Sequence, residues 1–334
     1  MESIIFSLDG RDSFLSDIVD SFYKQIQQEK ILDGLSKGNV KVDKFADGEV
    51  SVIFEDSVRG KRVYLVSSPI TSDNVMQLMF AIDAAVRADA DEIIPIIPCY
   101  PYQRSDKKDY TRGPIGAKVI ADMLQNRGAT SIITFDLHNP SIEGFFNIPM
   151  THIEGKYLFQ QYVSNIIEKN PNDEVILISP DAGASKRVKK LRDYINKKTG
   201  VSLSYAVIDK VRVEANKIDS MTLIGDVKGK VAIMYDDMAD TAGTAIKASQ
   251  LLKDNGAKAV IFMATHGILS GDAIERIEKS TMTKAVFSNS LNIPHKGYDS
   301  NNLSKIQVLN CSEIIAKSII SINNAKSYET LLTH

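Results

Sequence analysis

The chain has 334 residues, with 40 Lys and Arg against 42 Asp and Glu and a formal net charge of −2. That length suits two ordinary domains or one large one, and so neutral a balance supplies no global basic field for nucleic acid. No apolar run approaches the ~20 residues of a membrane span. The opening MESIIFSLDGRDSF has neither the basic n-region nor the apolar core of a secretory signal. Cys99 and Cys311 form no C-x-x-C pair. A cytoplasmic protein without structural disulfides is expected.

In chain order, RVYLVSS (62–68) reads as a strand, DNVMQLMFAIDAAVRA (73–88) as a helix and EIIPIIP (92–98) as a strand. PIGAKVIADMLQNRG (114–128) reads as a helix with Pro114 in its first turn and Gly128 at its end. SIITFDLH (131–138) is the next strand. The second half continues with EVILISPD (174–181), GASKRVKKLRDYINKKTG (183–200), VSLSYAVID (201–209), KVAIMYDD (230–237), TAIKASQLLKDNG (244–256) and KAVIFMATH (258–266). Continuous apolar strands alternating with helices predict an α/β fold with mainly parallel sheets flanked by helices.

GATSIITFDLH (128–138) and GAKAVIFMATH (256–266) share Gly-Ala, an apolar run and a closing His at the same offset. The echo fits two similar domains from a duplication, and it fits any helix–Gly–strand unit. The boundary is expected near 147–158, giving domains 1–153 and 154–334, with the final helix packing back on the first.

Ligands of open α/β sheets bind beyond the carboxyl ends of the strands, which selects the loops 99–113, 136–146, 179–187, 209–216 and 236–244. No G-x-x-x-x-G-K-[S/T] occurs and no G-x-G-x-x-G follows a strand, which speaks against the common nucleotide-binding loops. DTAGT (240–244) is a different phosphate device. Gly243 permits close approach, Thr241 and Thr244 offer hydroxyls, and the following helix orients its N–H groups. An ordinary helix cap by Asp240 or Thr241 explains the same residues. The preceding pair Asp236 and Asp237 favours a ligand, because two carboxylates repel unless a cation or hydroxyls engage them. A sugar phosphate satisfies both halves.

YDDMADTAGT resembles the phosphoribosyl diphosphate signature of type I phosphoribosyltransferases and their relatives. Together with FADGE (45–49), RSDKKDYTRGPIGAKVIADML, DLHNPSIEGFFNIP, ISPDAGASKR, DKVRVEAN and ATHGILSGDAIERI, it resembles ribose-phosphate diphosphokinase over nearly the whole chain. The resemblance implies a phosphoribosyltransferase-like fold in both domains and transfer of the diphosphoryl group of ATP to the 1-hydroxyl of ribose 5-phosphate, with Mg²⁺.

By resemblance, Lys210 and Arg212 lie on a mobile catalytic loop, and Val211 replaces a basic residue usual between them. Phe45, Asp47, Glu49, Arg104, Ser105, Asp106 and His138 contact ATP, with Ser105 standing where Gln is common. His138 and Asp181 are associated with the metal. Asp236, Asp237, Asp240, Thr241, Ala242, Gly243 and Thr244 hold ribose 5-phosphate. Asp181, Ala182, Gly183 and Ala184 form the diphosphate loop, with Ala184 in place of a second glycine. Ser57, Arg59, Arg112 and Ser312 match a regulatory anion site. The FADGE loop is expected from a neighbouring subunit, implying a homo-oligomer, a hexamer by family habit. A phosphoribosyltransferase, or a weakly active regulatory subunit bearing the Val211, Ser105 and Ala184 departures, are the alternatives.

Overall fold

A computed structural model of the chain describes residues 1–29, 34–108, 110–214, 217–293 and 303–327, with backbone alone between 211 and 219. Contacts divide these residues into two units, Met1–Glu154 with the chain from Cys311 on, and Gly155–Asn310. The first unit holds β1 (Ser3–Ser7), β2 (Leu35–Lys37), β5 (Arg62–Val66), β6 (Glu92–Ile97), β7 (Ile132–Phe135) and β8 (Met150–Ile153) in one sheet. Its order is β2-β1-β5-β6-β7-β8 and every pairing is parallel. A separate antiparallel hairpin, β3 (Val40–Lys44) and β4 (Val50–Phe54), precedes β5.

The second unit repeats the plan with β9 (Val175–Ser179), β10 (Ser204–Glu214), β12 (Val231–Ala239), β13 (Ala259–Gly267), β14 (Lys284–Ser288) and β15 (Ile306–Leu309). β11 (Lys217–Ile224) adds antiparallel to β10, giving the order β11-β10-β9-β12-β13-β14-β15. Stripped of β11, both sheets read 2-1-3-4-5-6 in their own strand count. The two units therefore share a topology, and the correspondence by position differs from the sequence echo. By position, β7 corresponds to β14, and β13 corresponds to β6.

The strands form because their apolar runs are covered on both faces. All five residues of β9, VILIS, are buried, and each of the four apolar side chains contributes about 1.5–3 kcal/mol. The covering helices are amphipathic. α5 (Ser185–Thr199) buries Val188, Leu191 and Ile195 and turns its lysines outward. The other helices of this unit are α4 (Lys156–Lys169), α6 (Gly243–Asp254) and α7 (Ala273–Lys279). The first unit has α1 (Asp12–Glu29), α2 (Ser72–Arg87) and α3 (Gly116–Arg127). Pro114 lies outside α3, one residue before the N-cap Ile115, so it ends the preceding loop rather than opening the first turn.

α8 (Ser312–Asn323) belongs to the first unit, in line with the expectation that the final helix packs back on the first domain. Its last residue explains the placement. Asn323 Oδ1 accepts hydrogen bonds from Tyr64 Oη at 2.7 Å, Arg62 Nη1 at 2.9 Å and Ser3 Oγ at 3.3 Å. No described helix is long and apolar enough to cross a membrane.

Candidate active site

The second sheet reverses direction of growth between β9 and β12, the place where an open α/β sheet leaves a crevice at its carboxyl edge. From β12 the chain enters α6 through Asp240, Thr241 and Ala242. The N-cap is Ala242, at φ 56°, and no side chain caps the helix. A left-handed angle is uncommon for a residue with a Cβ. Neither Asp240 nor Thr241 thus acts as the ordinary cap. The amide N–H groups of Thr241, Ala242, Gly243 and Thr244 donate no hydrogen bond among the described residues.

The carbonyls on the other side of this turn are all occupied. Ala239 O accepts from Ile268 N at 2.9 Å and Leu269 N at 3.1 Å, and Asp240 O accepts from Ser270 N at 3.1 Å. Thr241 O accepts from Arg276 Nη1 at 3.2 Å. A turn whose acceptors are satisfied from behind and whose donors are not has the chemistry to receive an anion. α2, which follows the equivalent strand β5, shows the contrast. There Thr71 accepts from Asn74 N and closes the helix end itself.

Asp236 and Asp237 sit at the end of β12 beside that turn. Asp237 is buried and donates its backbone N–H to Asp236 Oδ1 at 2.9 Å. The Asp236 carboxyl is held well above the usual carboxylate range, first by burial, then by the charge and hydrogen bond of Asp237 and by the charge of Asp181. Arg187 only partly opposes this. Carboxylates from the ends of β9 and β12 therefore load one place with negative charge.

Asp181 anchors the 181–184 loop. Its Oδ1 accepts from Ala184 N at 2.9 Å and its Oδ2 from Lys210 Nζ at 3.0 Å. Both oxygens of this expected metal-associated residue are therefore engaged by protein donors. A Cβ at Gly183 would lie 3.2 Å from Asp181 Oδ1, close enough to press on that carboxylate. Ala184 takes φ −74° and ψ −10°, an ordinary helical angle, so its methyl imposes no backbone cost.

Lys210 is only 5 % exposed along its side chain. It lies on β10, which runs on to Glu214 and pairs with β11, with register shifts between Val211 and Arg212 and between Arg212 and Glu214. The expected catalytic loop is thus a two-stranded ribbon up to its tip. The side chains of Val211 and Arg212 and residues 215–216 lie outside the described residues.

In the first unit, Asp136 turns the chain at the end of β7 with φ 45°. The turn is held by two side chains absent from the sequence reading. Leu137 N donates to His152 Nε2 at 3.0 Å, and His138 N donates to Gln103 Oε1 at 2.8 Å. His152 Nδ1 lies 2.6 Å from Glu143 Oε1, which fixes the tautomer that leaves Nε2 as acceptor. His152 stood in the segment read only as a boundary; its pairing needed the tertiary fold. The side chain of His138 is exposed. Asn139 Nδ2 donates to Asp106 Oδ2 at 2.7 Å, bringing Asp106 to the residue next to His138.

The remaining positions spread out. Ser105 Oγ accepts from Gly116 N at 3.0 Å and so satisfies the start of α3. Arg104 is exposed. Phe45, 60 % exposed, lies in the loop of the β3–β4 hairpin, where Phe45 N donates to Glu49 O at 2.8 Å and Glu49 N to Asp47 Oδ1 at 3.0 Å. Ser57 and Arg112 are exposed, Arg59 pairs with Asp89 at 2.6 Å, and Ser312 is buried 3.5 Å from Ser21 Oγ. No contact described here joins these four. Among the described residues no three His, Cys, Asp or Glu side chains are grouped to hold a metal.

Two family models match the chain. The N-terminal domain of ribose phosphate pyrophosphokinase covers residues 3–128, and the phosphoribosyl synthetase-associated domain covers 184–333. Ribose-phosphate pyrophosphokinase 2 of Schizosaccharomyces pombe is 42% identical over 303 residues, 90% of this chain and 91% of its own. Ribose-phosphate pyrophosphokinase of Porphyromonas gingivalis is 39% identical over 91% of this chain and 93% of its own. The crystal structure of phosphoribosylpyrophosphate synthetase from Mycobacterium smegmatis superposes with a TM-score of 0.83 at 31% identity, covering 97% of this chain and all of that one.

Proposed function

The chain belongs to the ribose-phosphate pyrophosphokinase family, and on that premise we propose how its residues move the diphosphoryl group of ATP to the 1-hydroxyl of ribose 5-phosphate. In that reaction the 1-oxygen of the sugar bonds to the β-phosphorus and gives up its proton. The bond from the β-phosphorus to the bridging α,β-oxygen breaks, and AMP leaves with that oxygen. The products are 5-phosphoribosyl 1-diphosphate and AMP. Positioning and neutralisation of charge on phosphoryl oxygens carry such a transfer.

The observation that carries the assignment of residues is the uncapped 240–244 turn next to the Asp236–Asp237 pair. The 5-phosphate takes the unpaired amides of Thr241 to Thr244. The carboxylates of Asp236 and Asp237 accept from ribose hydroxyls, which donate where the phosphate cannot. Lys210, with Arg212, stabilises the transferring phosphoryl oxygens by leaving Asp181 for them. Phe45, Asp47, Glu49, Arg104, Asp106 and His138 recognise ATP, the ring and the guanidinium taking the purine faces. Ser105 supports that loop through α3.

The residues fit Mg²⁺. Burial and like charge hold the Asp236 carboxyl protonated into the range where an ordinary carboxylate ionises, and a cation relieves that repulsion. Mg²⁺ uses one or two carboxylates with phosphates and waters, and needs no three-residue protein cage. In the second unit Asp181, Asp236 and Asp237 are the residues that would hold it, and when bound it would neutralise phosphate charge.

An exposed Phe45 in the loop of the β3–β4 hairpin supports an ATP site completed by a second copy in a homo-oligomer, a hexamer by family resemblance. Ser57, Arg59, Arg112 and Ser312 remain the proposed anion site for regulation by phosphate. Two buried cysteines, Cys99 and Cys311, with no C-x-x-C spacing suit a reducing compartment such as the cytoplasm. Purified protein incubated with ATP, ribose 5-phosphate and Mg²⁺ should release AMP stoichiometric with 5-phosphoribosyl 1-diphosphate. No AMP above background across magnesium and phosphate titrations would leave the regulatory-subunit reading in its place.

A further inference from the structure

We propose that Arg276, on α7, is a positioning residue for ribose 5-phosphate: it braces the 240–244 turn and adds a guanidinium beside its open amides. The inference rests on the reading of that turn as the 5-phosphate site. Arg276 Nη1 donates to Thr241 O at 3.2 Å and lies 3.8 Å from Asp272 Oδ1. These are the side-chain partners of Arg276 among the described residues, and Nη2 has none. A Cβ placed on Gly243 would lie 3.0 Å from Nη2. Gly243 has no left-handed angle to demand glycine. A side chain at 243 would instead push aside the guanidinium, which packs against the first turn of α6.

The placement is unusual in isolation. Helix N-termini attract anions and disfavour cations. Here a cation sits at the N-terminus of α6, and its one carboxylate partner, Asp272, is 69% exposed and therefore weak. The same guanidinium completes the row of donors from 268 to 276 that occupies the carbonyls of Ala239, Asp240 and Thr241. With those carbonyls occupied by the brace, the amides of the turn are left as its unused backbone groups, and Nη2 lies at the first turn of α6 beside Gly243. The spare Nη2 donors then stand next to the position of a dianionic group, where arginine can offer two parallel N–H bonds and lysine cannot.

The test is equilibrium binding of ribose 5-phosphate by calorimetry to the full chain, wild type, Arg276→Ala and Arg276→Lys, with steady-state kinetics in parallel. Arg276→Ala should weaken ribose 5-phosphate binding about 10- to 100-fold, the usual loss for a charge-assisted hydrogen bond. Arg276→Lys should recover part of it. KM for ATP and the melting temperature should stay near wild type, a split that a merely structural role would not produce. If wild type binds ribose 5-phosphate and Arg276→Ala binds it within twofold as well, the inference is overturned and the site reading stands. If wild type does not bind ribose 5-phosphate, both fall together. An equal loss of melting temperature and of ATP binding in Arg276→Ala also overturns it.

Discussion

Replacing Lys210 by Ala separates a catalytic lysine from a structural one. In the unliganded chain its Nζ lies 3.0 Å from Asp181 Oδ2, with the lysine 5 % and the aspartate 31 % exposed. At that distance the gross Coulomb attraction is about 5–6 kcal/mol at an effective dielectric of about 20. Desolvation of the lysine offsets most of it, and Asp181 keeps its bond from Ala184 N and its access to water. The net stability lost should be about 1–2 kcal/mol, lowering the melting temperature by roughly 2–8 °C. Turnover should fall much further. Removing one donor that stabilises transition-state charge costs about 10²–10³-fold in kcat. AMP release by the variant at saturating ATP and ribose 5-phosphate, read beside its thermal melt, decides the matter. A variant that melts several degrees early yet keeps more than a tenth of wild-type turnover would make Lys210 a partner of Asp181 and nothing more.

Asp236→Asn should stabilise the protein while inactivating it. A carboxyl with a raised folded-state pKa favours folding at acid pH and loses that contribution as pH rises through its folded value. At neutral pH the unliganded protein therefore carries the repulsion. The Asn variant should melt higher at pH 7.5, by roughly 2–4 °C per kcal/mol relieved, and show no gain in acid; a lower melting temperature at pH 7.5 contradicts the coupling. Phe45→Ala, at an exposed ring, should change stability by under about 0.5 kcal/mol and raise KM for ATP about 5- to 20-fold; an unchanged KM removes the ring from the ATP site. Ser105→Ala removes the acceptor of Gly116 N and should cost about 1 kcal/mol with KM for ATP near wild type. A tenfold rise in that KM at unchanged melting temperature restores Ser105 to direct contact with ATP.

The parallel sheets were legible because their strands are buried on both faces and read as unbroken apolar runs, as in VILIS at β9. The β3–β4 hairpin was not, because its residues are half exposed and lack that signal. The 240–244 turn stood out in the sequence as a candidate phosphate device, but the reason its amides are open was not legible there. That reason lies in donors 28 or more residues away, Ile268 to Ser270 and Arg276. The same limit hid His152 and Gln103, whose role is to accept from the backbone of the 136–138 turn.

The two sheets share one topology and differ in how the switch point is finished. In the first, Ser68 N donates to Asp9 Oδ2 at 3.1 Å and Arg11 Nη1 to Ser68 Oγ at 3.3 Å, while Thr71 caps α2. Side chains of the unit itself satisfy the groups that a ligand could have met. In the second, the equivalent strand ends in a crowded carboxylate pair and a helix that no side chain caps. Both features are unfavourable for the empty fold, and a ligand offering hydroxyls at one end and a phosphate at the other relieves both. One architecture thus finishes its switch point in two ways, capped by side chains in the first unit and uncapped in the second. The difference rests on a few residues at equivalent strand ends, so the fold specifies where a site can be and the loop residues specify which unit uses it.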